Sequence, residues 1–308
     1  LTLNLGVRYE YYPLMTRGDR GIERWDPATN LVTIGGIGGV PMNNGMTMSK
    51  KLFAPRVGIA WRANEKTVFR SGYGITFDPL PFSRPLRGQY PSTITASFVP
   101  LPSPGATTTS GYEYYNRISD GLPAVPTPDI SKGSVPLPAT VGMGPASPWG
   151  GQINRGYIQS WNFTIERQLP YRMLGSVGYI GNHTVHWMAY RDINAAGPNA
   201  ARPLYATLGR NITTAMWDGF ADGSYHGLQA SLNRGFAGGL FLKSSYTWSK
   251  SMNLTDDDGW AGLRYFNWEP IMRRNYTVAG YDRPHMFTLA FVWNMPAGRG
   301  KKLNIDSR

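Results

Sequence analysis

YHGLQASLNRGFAGGLFLKSSYTWSK at residues 225–250 and PHMFTLAFVWNM at 284–295 are the stretches whose reading decides the fold. In the first, Leu240, Leu242, Tyr246 and Trp248 fall on one parity, and Lys243, Ser245, Thr247 and Ser249 on the other. A β-strand turns successive side chains to opposite faces, so this run has an apolar side and a polar side. In the second, His285, Phe287, Leu289, Phe291, Trp293 and Met295 share one parity. That many large apolar groups on one face need an apolar layer or medium against them. Gly235-Phe236-Ala237-Gly238 reads as a tight turn joining strands at 225–234 and 239–250, and 251–283 as a long loop leading to the last strand.

The same alternation runs outward along the chain. At 1–11, Leu1, Leu3, Leu5, Val7, Tyr9 and Tyr11 alternate with Thr2, Asn4, Gly6, Arg8 and Glu10. At 53–62, Val57, Ile59 and Trp61 oppose Arg56, Gly58, Ala60 and Arg62; at 67–77, Phe69, Tyr73, Ile75 and Phe77 oppose Arg70, Gly72, Gly74 and Thr76. At 157–169, Trp161, Phe163 and Ile165 oppose Ser160, Asn162, Thr164 and Glu166, and 173–182 returns with Val177 and Tyr179 on one face. The tight turns Asn64-Glu65-Lys66, Pro170-Tyr171-Arg172 and 235–238 alternate with long connections at 12–51, 78–156, 183–224 and 251–283. A soluble sandwich has no reason to keep every other connection tight, whereas outer-membrane barrels pair short periplasmic turns with longer extracellular loops.

The expected fold is therefore all-β: an antiparallel transmembrane β-barrel segment of about eight strands, incomplete, with short periplasmic turns and long extracellular loops. An Arg or Lys on the lipid face near the midplane costs roughly 2–4 kcal/mol. Arg8, Glu10, Arg56, Arg70, Glu166 and Lys243 all fall on the polar parity and are expected to face the lumen. Arg167 and Arg234 share parity with apolar residues but lie beside tight turns, where a long side chain reaches the interface. Aromatics gather at the strand ends, Trp61, Phe69 and Trp293 beside tight turns and Tyr11, Phe77, Trp248 and Phe287 near long loops, as two girdles would.

Composition agrees. Of 308 residues, 37 are Gly and 24 Pro, and 13% are aromatic, a balance of short strands and elaborate loops. No run of apolar residues is long enough for a transmembrane helix, a test that a barrel escapes because half of each strand faces a polar lumen. The absence of Cys excludes disulfides, thiolate metal sites and cysteine nucleophiles. The net charge of +12 suits an anionic partner such as lipopolysaccharide, but the basic residues are scattered, which excludes a nucleic-acid stripe.

Motifs that carry chemistry are weak. The Gly-rich run Ile34-Gly35-Gly36-Ile37-Gly38-Gly39 lacks the Gly-Lys-Ser/Thr ending of a phosphate loop. His183 and His186 lack a third metal ligand, and no metal site is expected. Asp256-Asp257-Asp258 is a calcium candidate without the alternating spacing of a calcium loop. The Asn-x-Ser/Thr triplets at Asn162, Asn182, Asn211, Asn253 and Asn275 match chance composition, and Asn162 lies mid-strand. Glu10 and Glu166 are the strand-borne carboxylates, with nothing in sequence to pair them for hydrolysis. No Gly-x-Ser-x-Gly or His-Glu-x-x-His occurs, so no enzyme and no cofactor is expected. Trp25, Trp149, Trp187, Trp217, Trp260 and Trp268 lie in the long connections, with Tyr112, Tyr114 and Tyr115, and are the candidates for ligand contact through stacking.

The phrases Tyr225-His226-Gly227-Leu228-Gln229-Ala230-Ser231-Leu232, Ser245-Tyr246-Thr247-Trp248-Ser249-Lys250-Ser251 and Asp282-Arg283-Pro284-His285 resemble the barrel of TonB-dependent outer-membrane receptors of the Oar-like kind. Phe53-Ala54-Pro55-Arg56-Val57-Gly58, Arg70-Ser71-Gly72-Tyr73-Gly74, Gly178-Tyr179-Ile180-Gly181 and Pro296-Ala297-Gly298-Arg299-Gly300 extend the resemblance to nearly every strand. It implies a barrel of about 22 strands, closed by a plug that engages TonB, in the cell outer membrane. The chain opens directly on a strand without a leader pattern and ends at 304–308 without a terminal aromatic. The expectation is a single partial barrel domain over 1–308, plug and remaining strands lying elsewhere. The expected function is import of a bulky ligand (oligosaccharide, peptide or chelate), with partners in membrane lipid, lipopolysaccharide, TonB through the plug and an extracellular ligand. A non-transporting adhesive or structural barrel, and a soluble all-β carbohydrate-binding or hydrolytic protein, are the alternatives.

Overall fold

The computed structural model of the chain describes residues 1–14, 18–78, 102–107, 110–112, 119, 121, 127–139, 147–153, 155–256 and 266–303. Eight long strands carry it: β1 (Thr2–Glu10), β2 (Leu52–Asn64), β3 (Thr67–Phe77), β4 (Tyr157–Leu169), β5 (Met173–Asp192), β6 (Ala215–Ala237), β7 (Leu240–Asn253) and β8 (His285–Trp293). Each pairs antiparallel with the next, so the sheet runs in sequence order from β1 to β8. β1 and β8 stand at its two edges and do not meet.

Directly opposed residues in an antiparallel pair point to the same side. A polar row can thus be followed across the strands, from Asn4 to Gly58, Gly72, Asn162, Ile180, Gly227 and Ser249. The adjacent row on the other face reads Leu3, Ile59, Ser71, Phe163, Tyr179, Leu228, Trp248 and His285. The apolar face is bare: Leu5 is 76% exposed, Val7 70%, Phe287 62% and Phe291 61%. Left in water, a surface this size would aggregate; hydrocarbon is the medium that satisfies it. Aromatic pairs mark both ends of that face, Trp61 on Phe69 at 5.4 Å beside the Asn64 turn, and Tyr9 on Phe53 at 5.1 Å near the long loops. Trp161 lies over Gly181, its opposite number, where a Cβ would come to 2.5 Å from the indole.

The long connections depart from the expectation of plain loops. β5 continues ten residues beyond 182, to Asp192, and β6 begins at Ala215 rather than 225. β6 also runs on to Ala237 through a register shift after Arg234, so Gly238 and Gly239, both left-handed, make the turn. The extended β5–β6 hairpin is the spine of an ordered cap. On it pack a three-stranded sheet (Glu23–Asp26, Leu31–Ile34, Ser134–Pro136), the parallel pair Met46–Thr47 with Gly151–Gln152, and Ser147–Pro148 paired to Met216 and Trp217. One core joins Ile22, Met46, Ile153, Met188 and Trp217; a second joins Trp25, Val32, Leu137 and Met216. Asp192 ties the hairpin tip, accepting from the backbone N–H of Asn194 (2.9 Å) and Thr214 (2.8 Å) and from Arg202 (3.0 Å).

Candidate functional site

Where the polar face meets the connections at the long-loop end lies a cavity of about 460 Å3. Its floor is two rows of the sheet. Asn182, Tyr225 and Ser251 are cross-strand neighbours in one row, and Thr184, Gly223 and Asn253 in the next. Its sides come from the start of the β5–β6 extension, with Trp187 and Asp222, and from the connection after β7, with Asp256 and Tyr281. A register shift between Thr184 and Trp187, with His186 at φ 56°, re-aims Trp187 toward this space.

The polar groups are held. Asp256 Oδ1 accepts from Asn253 Nδ2 (3.1 Å) and from the backbone N–H of Gly280 (2.9 Å), and Asn253 Nδ2 also reaches the Tyr281 hydroxyl (3.2 Å). Ser224 and Tyr276 share a hydroxyl bond of 2.8 Å. Arg273 donates to Asp222 Oδ2 at 2.9 Å, while Asp222 Oδ1 is buried without a hydrogen-bond partner among the described residues. In a chain with 31 Lys and Arg against 19 Asp and Glu, the described lining holds two carboxylates and no Lys or Arg. Three aromatic rings, carboxylate and amide acceptors and several hydroxyls suit a polyhydroxylated ligand and disfavour an anion. The volume falls within the about 300–1,000 Å3 typical of ligand pockets.

The tryptophans separate into different roles. Trp187 lines the cavity. Trp25 and Trp217 sit on strands and are core residues, at 0% and 3% exposure, because the cap needs large side chains to fill it; neither presents a face to a ligand. Trp149 is exposed, Trp268 packs over Gly197, and Trp260 lies outside the described residues. So do Asp257, Asp258, Tyr114 and Tyr115, whereas Asp256 is a cavity residue. No cluster of three or more His, Asp or Glu among the described residues is placed to hold a metal ion.

The six charged strand residues share the polar face. Arg8 is bonded to Glu10, whose other oxygen accepts from the Tyr12 hydroxyl at 2.9 Å; Arg70 is bonded to Glu166 at 3.2 Å. Arg56 lies across from Gly6 and Gly74, and Lys243 across from Asn233 and Ala290.

Sequence reasoning missed Arg155 and Arg210. Arg155 is buried over the Tyr12 ring at 4.6 Å, and its guanidinium has no hydrogen-bond partner among the described residues. Burial pushes Arg155 below its ordinary pKa, against the opposing pull of Asp78, Tyr12 and Glu10. Burial, then the bond to Glu10, raises Tyr12. Arg210, fully buried, stacks over Trp25 at 5.5 Å and donates to the Pro138 carbonyl at 3.0 Å; burial lowers it too.

An open antiparallel sheet with one lipid-ready face, tight turns at one end and an ordered cap at the other defines an outer-membrane β-barrel wall. The profile of the family described as "Outer membrane beta barrel domain" matches residues 1–308, and the chain belongs to that family and resides in the outer membrane. This sets aside the soluble all-β alternative. A search of curated proteins finds no match. Solved structures similar to it include the ferric-catecholate import receptor Fiu of E. coli K12 (10% identity, 79% of this chain and 22% of that one, TM-score 0.35). Others are the alcaligin outer-membrane receptor FauA of Bordetella pertussis (11%, 80% and 27%, 0.33) and a mutant of the ferric enterobactin receptor PfeA of Pseudomonas aeruginosa (12%, 66% and 25%, 0.37). The chain spans about a fifth to a quarter of the length of these receptors.

Proposed function

We propose that this chain is the wall and extracellular mouth of a TonB-dependent receptor that captures a neutral oligosaccharide and passes it inward along the polar face. The observation that carries the reading is the cavity lined by Trp187, Tyr225, Tyr281, Asp222, Asp256 and Asn253, with no basic side chain among its described lining residues. Aromatic faces take the C–H faces of a sugar ring, and carboxylates and amides accept its hydroxyls. The strand phrases around Tyr225, Tyr246 and Asp282 support the Oar-like branch. Energy would come from TonB acting on a plug encoded elsewhere in the parent chain, and the reading assigns this chain binding rather than catalysis.

The test is calorimetric titration of the full-length receptor with neutral cello-, xylo-, manno- and malto-oligosaccharides, beside a ferric catecholate. Binding of one neutral oligosaccharide, weakened about tenfold or more by Tyr281→Ala, is expected from the loss of one stacking ring and its hydroxyl. Binding of the ferric catecholate alone would overturn the ligand class, and sugar uptake unchanged in cells without TonB would overturn the transport reading.

A further inference from the structure

The excess of positive charge is scattered in sequence, and the fold gathers much of it at one end. The three tight turns and the loop after β8, at 62–66, 167–172, 234–239 and 296–303, stand side by side along one rim of the sheet. The Gln168 N–H donates to the Lys66 carbonyl (2.8 Å), Met173 pairs with Arg234, and the Asn294 N–H donates to the Gly239 carbonyl (2.7 Å). Together these segments hold eight Lys and Arg against one acid, Glu65. The next carboxylate along, Glu166, is bonded to Arg70; Asp306 and Arg308 lie outside the described residues. At the long-loop end, by contrast, cations meet carboxylates, as Arg20 with Glu23, Arg202 with Asp192 and Arg273 with Asp222.

Two of the eight belong to the lipid boundary, because Arg167 and Arg234 share parity with the apolar face. The other six, Arg62, Lys66, Arg172, Arg299, Lys301 and Lys302, are exposed. Arg62 donates to the Glu65 carbonyl (3.2 Å) and Lys301 to the Met295 carbonyl (3.1 Å). Among the described residues, none of Arg62, Lys66, Arg172, Lys301 and Lys302 is in a salt bridge. From the stacked rings of Trp61 and Phe69 to the tip at Glu65-Lys66 is four and three residues. At about 3.3 Å per residue and a tilt of about 40°, that tip projects about 8–10 Å past the aromatic girdle, on the periplasmic side.

The second turn adds an aromatic ring. Tyr171, 76% exposed, precedes Arg172, and both hold left-handed backbone where Asn-Gly is the unstrained choice. Strain kept at a surface turn for the sake of a ring and a guanidinium points to use of the two side chains.

Neighbouring basic groups stand about two strand widths, or about 10 Å, apart, close to one Debye length at physiological ionic strength. A small anion therefore feels one group, whereas an extended polyanion lying along the rim engages several at once. We propose that this rim docks peptidoglycan, the six cations taking carboxylates of its stem peptides and Tyr171 the face of a glycan sugar. Peptidoglycan is a polymer of sugars bearing carboxylate-rich peptides, and it lies along the membrane on the side that the tight turns face. Phospholipid headgroups would call for cations on the apolar parity, where only Arg167 and Arg234 stand. The docking does not rest on oligosaccharide capture; an adhesive barrel would carry it equally.

The test is co-sedimentation of the full-length protein, in detergent, with purified peptidoglycan sacculi. Binding is expected, and amidation of the sacculus carboxylates should abolish it. The variant Lys66→Gln, Arg172→Gln, Lys301→Gln, Lys302→Gln should bind about tenfold more weakly or worse, from four exposed ion pairs worth up to about fivefold each, while keeping the heat-modifiable migration of a folded barrel. Lys50→Gln, Lys51→Gln, Lys132→Gln, Arg274→Gln removes the same charge from the long-loop end and should leave binding intact. Equal binding of amidated sacculi, retained binding in the rim variant, an equal loss in the long-loop variant, or full displacement of sacculi by phosphatidylglycerol vesicles would each overturn the assignment.

Discussion

At the residue scale, the turn between β4 and β5 shows local strain that the sequence does not advertise. Tyr171 and Arg172 occupy left-handed backbone, at φ 60° and 58°, and the Met173 N–H closes the turn on the Pro170 carbonyl at 3.3 Å. Two positive φ values in succession are the requirement of a type I′ hairpin turn, which matches strand twist and favours Asn-Gly. A non-Gly side chain there sets Cβ against the carbonyl oxygen, a cost of roughly 1–2 kcal/mol. Arg172→Gly removes that cost but adds unfolded-chain entropy, so the variant should gain about 1 kcal/mol. A higher urea midpoint for the full-length protein in detergent checks this; a lower one would mean that the Arg172 side chain anchors the periplasmic interface. Residue identity also matters at Gly181, where an added Cβ would force the Trp161 indole lying over it to shift.

At the element scale, the barrel strands were legible and their continuations were not. Residues 157–169 and 67–77 alternate cleanly because one face meets lipid and the other a polar interior, and the structure keeps both ranges. Past Thr184 the alternation fails for two physical reasons. The bulge at 185–186 shifts the parity, and Trp187-Met188-Ala189-Tyr190 is covered on both sides by the cap, so it reads as an apolar run without a period. The site was half legible for a related reason. Trp187 and Asp256 stood out as an aromatic and an acid in long connections, but Tyr225, Asn253 and Asp222 become neighbours only through strand register and the close of the cap. The hairpin extension has its own test in Asp192, which holds two backbone N–H groups and Arg202. Asp192→Ala strands these donors at roughly 1–3 kcal/mol each. Tryptic cleavage near Arg202 and Arg210 should accelerate several-fold while the heat-modifiable barrel persists. Unchanged cleavage would show that the apolar cores alone hold the cap.

At the scale of the whole molecule, the two faces of one sheet must live in different solvents, and adjacent residues of one strand can report on both. Ala230 stands on the apolar face between Val177 and Tyr246; Gln229, its neighbour, stands on the polar face between Gly178 and Thr247. Both lie near mid-height of β6, below the His226 level and above the Arg234 turn. An Arg at Ala230 must either bury a charge in hydrocarbon or drag water to it, at roughly 2–4 kcal/mol, whereas an Arg at Gln229 joins a face already carrying Arg56, Arg70 and Lys243. Ala230→Arg should therefore lower the stability of the full-length protein in liposomes by about 2–4 kcal/mol, and Gln229→Arg by less than about 1 kcal/mol. Urea titration of folding into liposomes reads both. The contrast should shrink in short-chain detergent, whose thin apolar layer lets the guanidinium reach water. Equal costs at the two positions would mean that both faces of the sheet meet protein, as in a packed sandwich. A larger cost at Gln229 would mean that the apolar face is the one turned inward.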